Sequence, residues 1–132
     1  MFYMKRKILV AASLMGALSI ILGAFGAHSL KNSLSESQLN AFEIGVRYQM
    51  YHALFLLFIA ETGILSDSAK KNIFWLVLIG VSFFSGSLYL LAIAEVVGIS
   101  TKVIGPVTPL GGVLLISAWL IFFAKLLGKK AE

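Results

Sequence analysis

Long apolar runs alternate with short polar segments along the chain and divide it into predicted helices. The runs lie near residues 8–27, 48–65, 73–97 and 109–127. A helix needs about 20 mostly apolar residues to cross ~30 Å of hydrocarbon, and these runs approach or reach that length. The pattern therefore predicts an all-α, polytopic membrane protein in which residues 1–132 form a single domain with four transmembrane helices.

A further helical segment, near residues 36–47, precedes the second run. Ser35 and Gln38 have the spacing of a capping box at its start. Apolar residues then recur at helical intervals, beside a Glu43–Arg47 pair four residues apart. This pattern predicts an amphipathic surface helix after the first span, lying on or near the outer face of the membrane and leading into the second span.

The composition excludes a water-soluble domain. Hydrophobic residues make up 59% of the chain and charged residues 13%, whereas soluble proteins carry about 25% charge. A soluble fold of this size keeps a large part of its surface exposed and could not bury so much apolar area. The lipid bilayer is therefore the predicted partner. The chain has no cysteine, which excludes disulfides and thiolate chemistry.

The basic residues are distributed unequally between the two predicted membrane faces. Eight would lie on one face, namely Lys5, Arg6, Lys7, Lys70, Lys71, Lys125, Lys129 and Lys130, and three on the other, namely Lys31, Arg47 and Lys102. The positive-inside rule then places both termini in the cytoplasm. The net charge of +5 is explained by this topology, and no nucleic-acid partner is expected. The first run is longer than the ~7–15 apolar residues of a signal peptide, which favours a retained span over cleavage.

Small residues recur every three or four positions along the first predicted span. Helices in lipid associate through close packing, because there is little hydrophobic drive between them. We interpret such positions as helix-packing surfaces rather than a ligand groove, available to neighbouring helices, to a membrane-protein partner or to a second copy. They are Ala12, Gly16, Ser19, Gly23 and Gly26 in the first span, with Gly80 and Gly86 in the third.

Polar residues gather at one predicted depth, just beneath the outer surface. Intramembrane polar groups are costly and often functional, so these residues form the candidate ligand-binding set: His28, Arg47, Tyr48, Gln49, His52, Ser85, Tyr89 and Thr108. Thr108 with Pro109 also has the pattern of an N-cap and first helical residue.

Three functional interpretations of this set compete with a structural one. Two histidines on neighbouring helices could ligate a haem, although no cofactor is predicted outright. A metal site is disfavoured because two imidazoles with distant carboxylates make a poor ligand set, so no metal is predicted. A proton or small-molecule site is the third possibility, since histidine titrates near neutral pH. The structural alternative is a hydrogen-bonded network that ties the helices together. No catalytic motif is present, and no catalytic residue is proposed.

Two ion-pair arrangements are predicted for the remaining charges. Arg47 must find acceptors for up to five donors, so we expect it to bind Glu43 and Glu95 and to tie three helices together. Glu61 lies inside the cytoplasmic end of the second span, at a depth comparable to Lys125 in the fourth, and we expect these two to pair or to reach toward the interface.

Four local strings together resemble a known family. They are GAFGAH at 23–28, GVRYQMYHAL at 45–54, FSGSLYLLA at 84–92 and GPVTPLGG at 105–112. In this order they resemble the small four-span membrane proteins described as domain of unknown function 423, which include YwdK-like and YgdD-like proteins and to which transmembrane protein 256 is similar. The resemblance implies a bacterial plasma-membrane protein without an established activity. It implies motif positions at Gly26, His28, Gly45, Arg47, Tyr48, Gln49, His52, Ser85, Gly86, Tyr89, Thr108, Pro109 and Gly112.

The function expected from these patterns is that of an integral membrane protein with a structural or partner-binding role. In that case Gly16→Leu should disrupt assembly while His52→Ala is mild. The alternative is a small transporter or a ligand- or proton-binding protein that uses the polar set, for which His52→Ala should leave a stable but inactive protein.

Overall fold

The computed structural model describes residues 2–128, and within that range every regular element is helical. Three helical segments, Phe2–Leu30, Asp67–Val97 and Thr101–Gly128, are long and apolar enough to cross a membrane. The predicted all-α, polytopic architecture is therefore confirmed. The further span near residues 48–65 stays a prediction. Lys129 and Lys130, which entered the charge argument, lie outside the described residues.

Five α-helices follow one another within residues 2–128. Helix α1 continues directly into a π-helical turn, and α4 is a single turn that leads into α5. The bounds are Phe2–Phe25 for α1, Gly26–Leu30 for the π-helical turn, Glu36–Glu61 for α2, Asp67–Val97 for α3, Thr101–Ile104 for α4 and Val107–Gly128 for α5.

The predicted surface helix near residues 36–47 and the predicted span near residues 48–65 belong to one helix, because α2 runs without a break from Glu36 to Glu61. The predicted capping box is confirmed: the Ser35 hydroxyl accepts from the Gln38 amide, and the Gln38 side chain accepts from the Ser35 amide. No proline interrupts the segment, so a helix nucleated at this cap continues through both halves. The amphipathic pattern thus describes the first half of a long helix.

The start of α5 also differs from the prediction. The helix begins at Val107, directly after Pro106, so Thr108 lies inside its first turn rather than at its N-cap. At its C-terminal end, α3 stops at Val97 and is capped by Gly98, whose φ of 74° lies in the left-handed region. The amides of Gly98 and Ile99 both bind the Ala94 carbonyl there, which satisfies the open end of the helix.

Helices α2 and α3 lie side by side in the centre of the molecule. α1 packs mainly against α2, and α5 packs mainly against α3. In the part of the chain that the structure describes, α1 and α5 do not approach each other closely. The core between the helices is apolar, and its fully buried side chains include Ile8, Leu56, Ile59, Ile73, Phe74 and Val77.

Most of the predicted small-residue positions are packing positions within the chain. A Cβ at Gly23 would lie 3.4 Å from Val46, and one at Gly26 would lie 2.9 Å from Phe42, so this face of α1 is closed by α2. A Cβ at Gly80 would lie 2.8 Å from Leu115 of α5. Ala12 and Ser19 are buried on the same face of α1, and a Cβ at Gly16 would make an ordinary contact of 4.0 Å with Ala53.

Gly86 does not have the predicted packing role. A Cβ there would meet nothing within 4 Å. The reason is its position on α3: Ser85 on one side of it bonds to α2, and Ser87 on the other bonds to α5. Gly86 therefore points toward neither helix.

The ends of the helices that carry most of the basic residues lie together. Lys5 near the start of α1 binds Glu61 at the end of α2 at 2.8 Å. Lys70 in the first turn of α3 donates to the Ala60 carbonyl at 2.9 Å. Lys125 near the end of α5 lines the same cleft as Ser66. We call this end of the molecule, marked by Lys5, Lys70 and Lys125, the basic end.

Candidate functional site

Gln49 on α2 lies at the centre of a hydrogen-bonded network that joins three helices. Its side chain is buried, with 7% exposed. Its Nε2 donates to the Met15 carbonyl of α1 at 2.9 Å, and its Oε1 accepts from the Tyr89 hydroxyl of α3 at 2.8 Å. The Met15 carbonyl also accepts from the Ser19 hydroxyl at 2.9 Å. One amide side chain thus links α1, α2 and α3 where water is not available to compete.

His52, one turn further along α2, links that helix to α5. It is 4% exposed. Its Nδ1 lies 2.7 Å from the Tyr48 carbonyl, and the Trp119 indole donates to its Nε2 at 3.1 Å. A carbonyl can only accept and an indole N–H can only donate. The neutral ring with its proton on Nδ1 is the form that fits both bonds, so both nitrogens are engaged.

Two serines on α3 complete the connections. Ser85 donates to the Gly45 carbonyl of α2 at 2.7 Å, and Ser87 shares a 2.6 Å hydrogen bond with Thr108 of α5. The Tyr89 ring closes over Gly45, where an added Cβ would lie 2.6 Å from Cε1. We call Gln49, His52, Ser85, Tyr89 and Trp119 the polar network. It brings together four of the eight predicted ligand-binding residues.

Arg47 does not make the predicted tie between helices. Within residues 2–128 its guanidinium pairs only with Glu43, at 3.4 Å, and both side chains are about half exposed. Glu95 is exposed and forms no ion pair within residues 2–128. The geometric reason is that Arg47 and Glu43 lie on the outward face of α2, so the guanidinium reaches the nearest carboxylate on its own helix.

His28 and Tyr48 lie at the edge of the arrangement. His28 is exposed in the π-helical turn and makes no hydrogen bond or ring contact in the described part of the chain. It does not meet His52. Tyr48 contributes its carbonyl to His52, while its half-exposed ring packs edge-on against Phe84 with centroids 4.9 Å apart.

The predicted Glu61–Lys125 pair is also wrong, because Glu61 binds Lys5 instead. α1 packs beside α2 along its length whereas α5 lies beyond α3, so Lys5 is the nearer cation. Lys125 lines a cleft with Ile64 and Ser66 beside the loop between α2 and α3.

A cavity of about 270 Å³ lies beside His52. Tyr48, Phe84, Leu115 and Trp119 contribute to its walls, so the walls are largely aromatic and aliphatic. Within residues 2–128 no three histidine, cysteine or carboxylate side chains are grouped as metal ligands would be. Two axial haem ligands would need both histidines to line the same cavity, and His28 does not line the cavity beside His52.

Comparison with known proteins identifies the family. The family model described as "Protein of unknown function (DUF423)" matches residues 22–112. The chain belongs to this family. The UPF0382 membrane protein of Staphylococcus saprophyticus is 44% identical over 115 residues, covering 82% of this chain and 89% of that protein.

More distant relatives extend the match to other bacteria. The UPF0382 membrane protein YwdK of Bacillus subtilis is 36% identical over 118 residues, covering 86% of this chain and 89% of its own length. The UPF0382 membrane protein of Haemophilus influenzae is 35% identical, covering 89% and 90%. No solved structure matches the chain. The resemblance noted in the sequence is confirmed, and the chain is an integral membrane protein of an uncharacterised family.

Sequence reasoning missed the partners of the two central polar residues. Trp119 was not among the candidate residues, although an indole N–H inside a span needs an acceptor, and that requirement could have pointed to His52. The Met15 carbonyl carried no such signal. It is an ordinary backbone group of α1 that becomes an acceptor for Gln49 because α1 and α2 pack side by side.

Proposed function

We propose that this chain is a structural or partner-binding protein of the bacterial plasma membrane, and that the polar network holds its helices in register rather than binding a substrate. One observation supports this most strongly. In residues 2–128 no buried side-chain nitrogen or oxygen lacks a hydrogen-bond partner. A ligand site needs polar groups that are free to face the ligand, whereas both nitrogens of His52 and both polar atoms of Gln49 are occupied by the chain itself.

The two histidines provide a matched test of this structural role. His52→Ala leaves the Trp119 indole without its acceptor, so we expect a loss of about 1–3 kcal/mol in the free energy of unfolding. His28→Ala removes an exposed ring that has no partner among the described residues, and should change stability by less than ~0.5 kcal/mol. Reversible unfolding in mixed detergent micelles measures both. If the two variants are equally stable, the network is not structural and the proposal fails.

We further propose a plasma-membrane topology with both termini in the cytoplasm. The clustering of Lys5, Lys70 and Lys125 at one end supports it, because basic residues concentrate on the cytoplasmic side. Reporter fusions after the last residue and within residues 31–35 test the orientation. A C-terminal fusion active only in the periplasm would refute it.

A ligand- or proton-binding role is the second candidate, and the cavity beside His52 favours it. Its walls would suit a mostly apolar molecule that contacts Tyr48 and Trp119. Purification in mild detergent, with mass spectrometry and a visible absorption spectrum, tests this role. A small molecule that co-purifies with the His28→Ala protein but not with the equally stable His52→Ala protein would favour it over the structural role, and a Soret band would identify haem.

A further inference from the structure

A groove of about 470 Å³ separates the first turns of α1 from α3 at the basic end. α1 and α3 touch only slightly along their lengths, so their side chains leave a gap rather than a sealed interface. Val10 and Ala11 form one wall of the groove, and Phe74 and Leu78 form the other. The part of the groove that lies further from the basic end is therefore lined by apolar side chains and is open toward lipid.

Two cations stand at the mouth of this groove. Arg6 and Lys7 line it together with Trp75 and Tyr3. The ammonium group of Lys7 lies over the Trp75 ring, 4.7 Å from its centroid. Neither Arg6 nor Lys7 forms an ion pair within the described residues, and Glu61 at the end of α2 is bound by Lys5. The mouth therefore presents two cations that no carboxylate pairs with in residues 2–128.

The order of these groups matches the order of groups in a phospholipid. Val10 follows Arg6 by four residues, so the apolar wall begins about one helical turn, ~6 Å, deeper than Arg6. Tryptophan and tyrosine are enriched at the level of the headgroups, which is where Trp75 and Tyr3 would lie. A phosphate bound at the mouth would leave its acyl chains directed along the apolar walls.

We propose that this groove binds one anionic phospholipid, with the phosphate between Arg6 and Lys7 and an acyl chain along Val10 and Leu78. The charge of the mouth selects an anionic headgroup over a zwitterionic one. This inference concerns a surface outside the polar network and does not depend on the role proposed for that network.

Native mass spectrometry of the purified full chain with added lipid tests the proposal. We expect phosphatidylglycerol to bind at least about tenfold more tightly than phosphatidylcholine. Each cation near a membrane surface contributes about 1 kcal/mol toward anionic lipid, which is roughly a fivefold change in affinity. Replacing both cations, Arg6→Gln with Lys7→Gln, should therefore weaken phosphatidylglycerol binding by about 30-fold.

Two matched controls distinguish binding in the groove from the effect of lower net charge and from the effect of adding a large side chain. Lys31→Gln with Lys102→Gln removes the same charge at the opposite end and should leave binding unchanged. Val10→Trp fills the groove and should abolish binding, whereas Val113→Trp, at a comparably exposed position on α5, should not. The Val10 variant keeps the test decisive if the double charge variant does not fold.

Four results would overturn the proposal. Equal binding of the two lipids would show no selection by charge. Displacement of phosphatidylglycerol by millimolar glycerol phosphate would show that the site binds a phosphate group and does not bind the acyl chains. Unchanged binding in the Val10→Trp protein would place the lipid elsewhere. A lipid-free dimer that Val10→Trp dissociates would show that a second copy of the chain occupies the groove.

Discussion

Gly111 and Gly112 are neighbours on α5, yet the structure gives them opposite tolerance for a side chain. A Cβ at Gly111 would lie 2.8 Å from both the Gly80 carbonyl oxygen and the Phe84 Cα of α3, and closer still to the Phe84 amide nitrogen. A Cβ at Gly112 would meet the edge of the Phe84 ring at 3.8 Å, an ordinary contact. We therefore predict that Gly111→Ala destabilises the protein and that Gly112→Ala does not.

The magnitude follows from what surrounds Gly111. The atoms near its added Cβ belong to the α3 backbone, so no side chain can rotate away. To reach normal contact at ~3.5 Å, α5 would have to withdraw by more than about 0.7 Å, because the Phe84 amide nitrogen is the nearest atom. Overpacking of this kind costs about 1–3 kcal/mol, and the rigid backbone favours the upper value. Both variants gain up to ~1 kcal/mol from replacing glycine by alanine in a helix. We expect Gly111→Ala to lose about 2 kcal/mol and Gly112→Ala to lose nothing or to gain slightly.

Reversible unfolding in mixed micelles, followed by tryptophan fluorescence, measures the free energy of unfolding of both variants beside the parent protein. The comparison is internal, because the two substitutions are chemically identical and one residue apart. Equal stability of Gly111→Ala and Gly112→Ala would refute the close approach of α3 and α5 at Gly111.

Two further predictions concern the bonds between helices. Gln49→Leu should lower the free energy of unfolding by about 1–3 kcal/mol because it leaves polar partners unpaired. A double-mutant cycle with Tyr89→Phe should give a coupling energy of about 0.6 kcal/mol, as is typical inside membranes. A coupling energy of zero would contradict the hydrogen bond between Gln49 and Tyr89. Lys5→Gln should reduce stability by less than ~1 kcal/mol, since it breaks a half-exposed ion pair with Glu61. Lys125→Gln should have no effect. A larger loss for Lys125→Gln than for Lys5→Gln would indicate that Glu61 pairs with Lys125 instead.

The sequence was sufficient where one local signal determined the outcome. The apolar runs predicted the helices because a chain in lipid must satisfy its backbone hydrogen bonds within each segment. The Ser35–Gln38 cap and the Glu43–Arg47 pair were also predicted, since each involves residues within one turn of helix. Small residues on α1 marked the face that α2 covers, because close approach of two backbones requires the absence of side chains.

The sequence was insufficient where a partner had to be chosen across the bundle. Matching depth suggested Lys125 for Glu61 and Glu95 for Arg47, but depth along a membrane says nothing about which helices are neighbours. Because α1 packs against α2 and α5 packs against α3, Glu61 of α2 binds Lys5 of α1. The same limitation explains why His28, at a suitable depth, does not share a site with His52.

The internal use of small and polar residues limits where a protein partner could bind. The outward faces of α1 and α5 carry large apolar side chains, such as Leu14, Ile21, Ile116 and Phe123. Lipid solvates such faces as well as a protein would, so they offer little drive for association. We therefore expect a partner to dock near the membrane boundaries, where charges such as that of Glu95 remain exposed. Photo-crosslinkers placed at Glu95 should capture it, and efficient capture at Ile116 with none at Glu95 would contradict this reasoning.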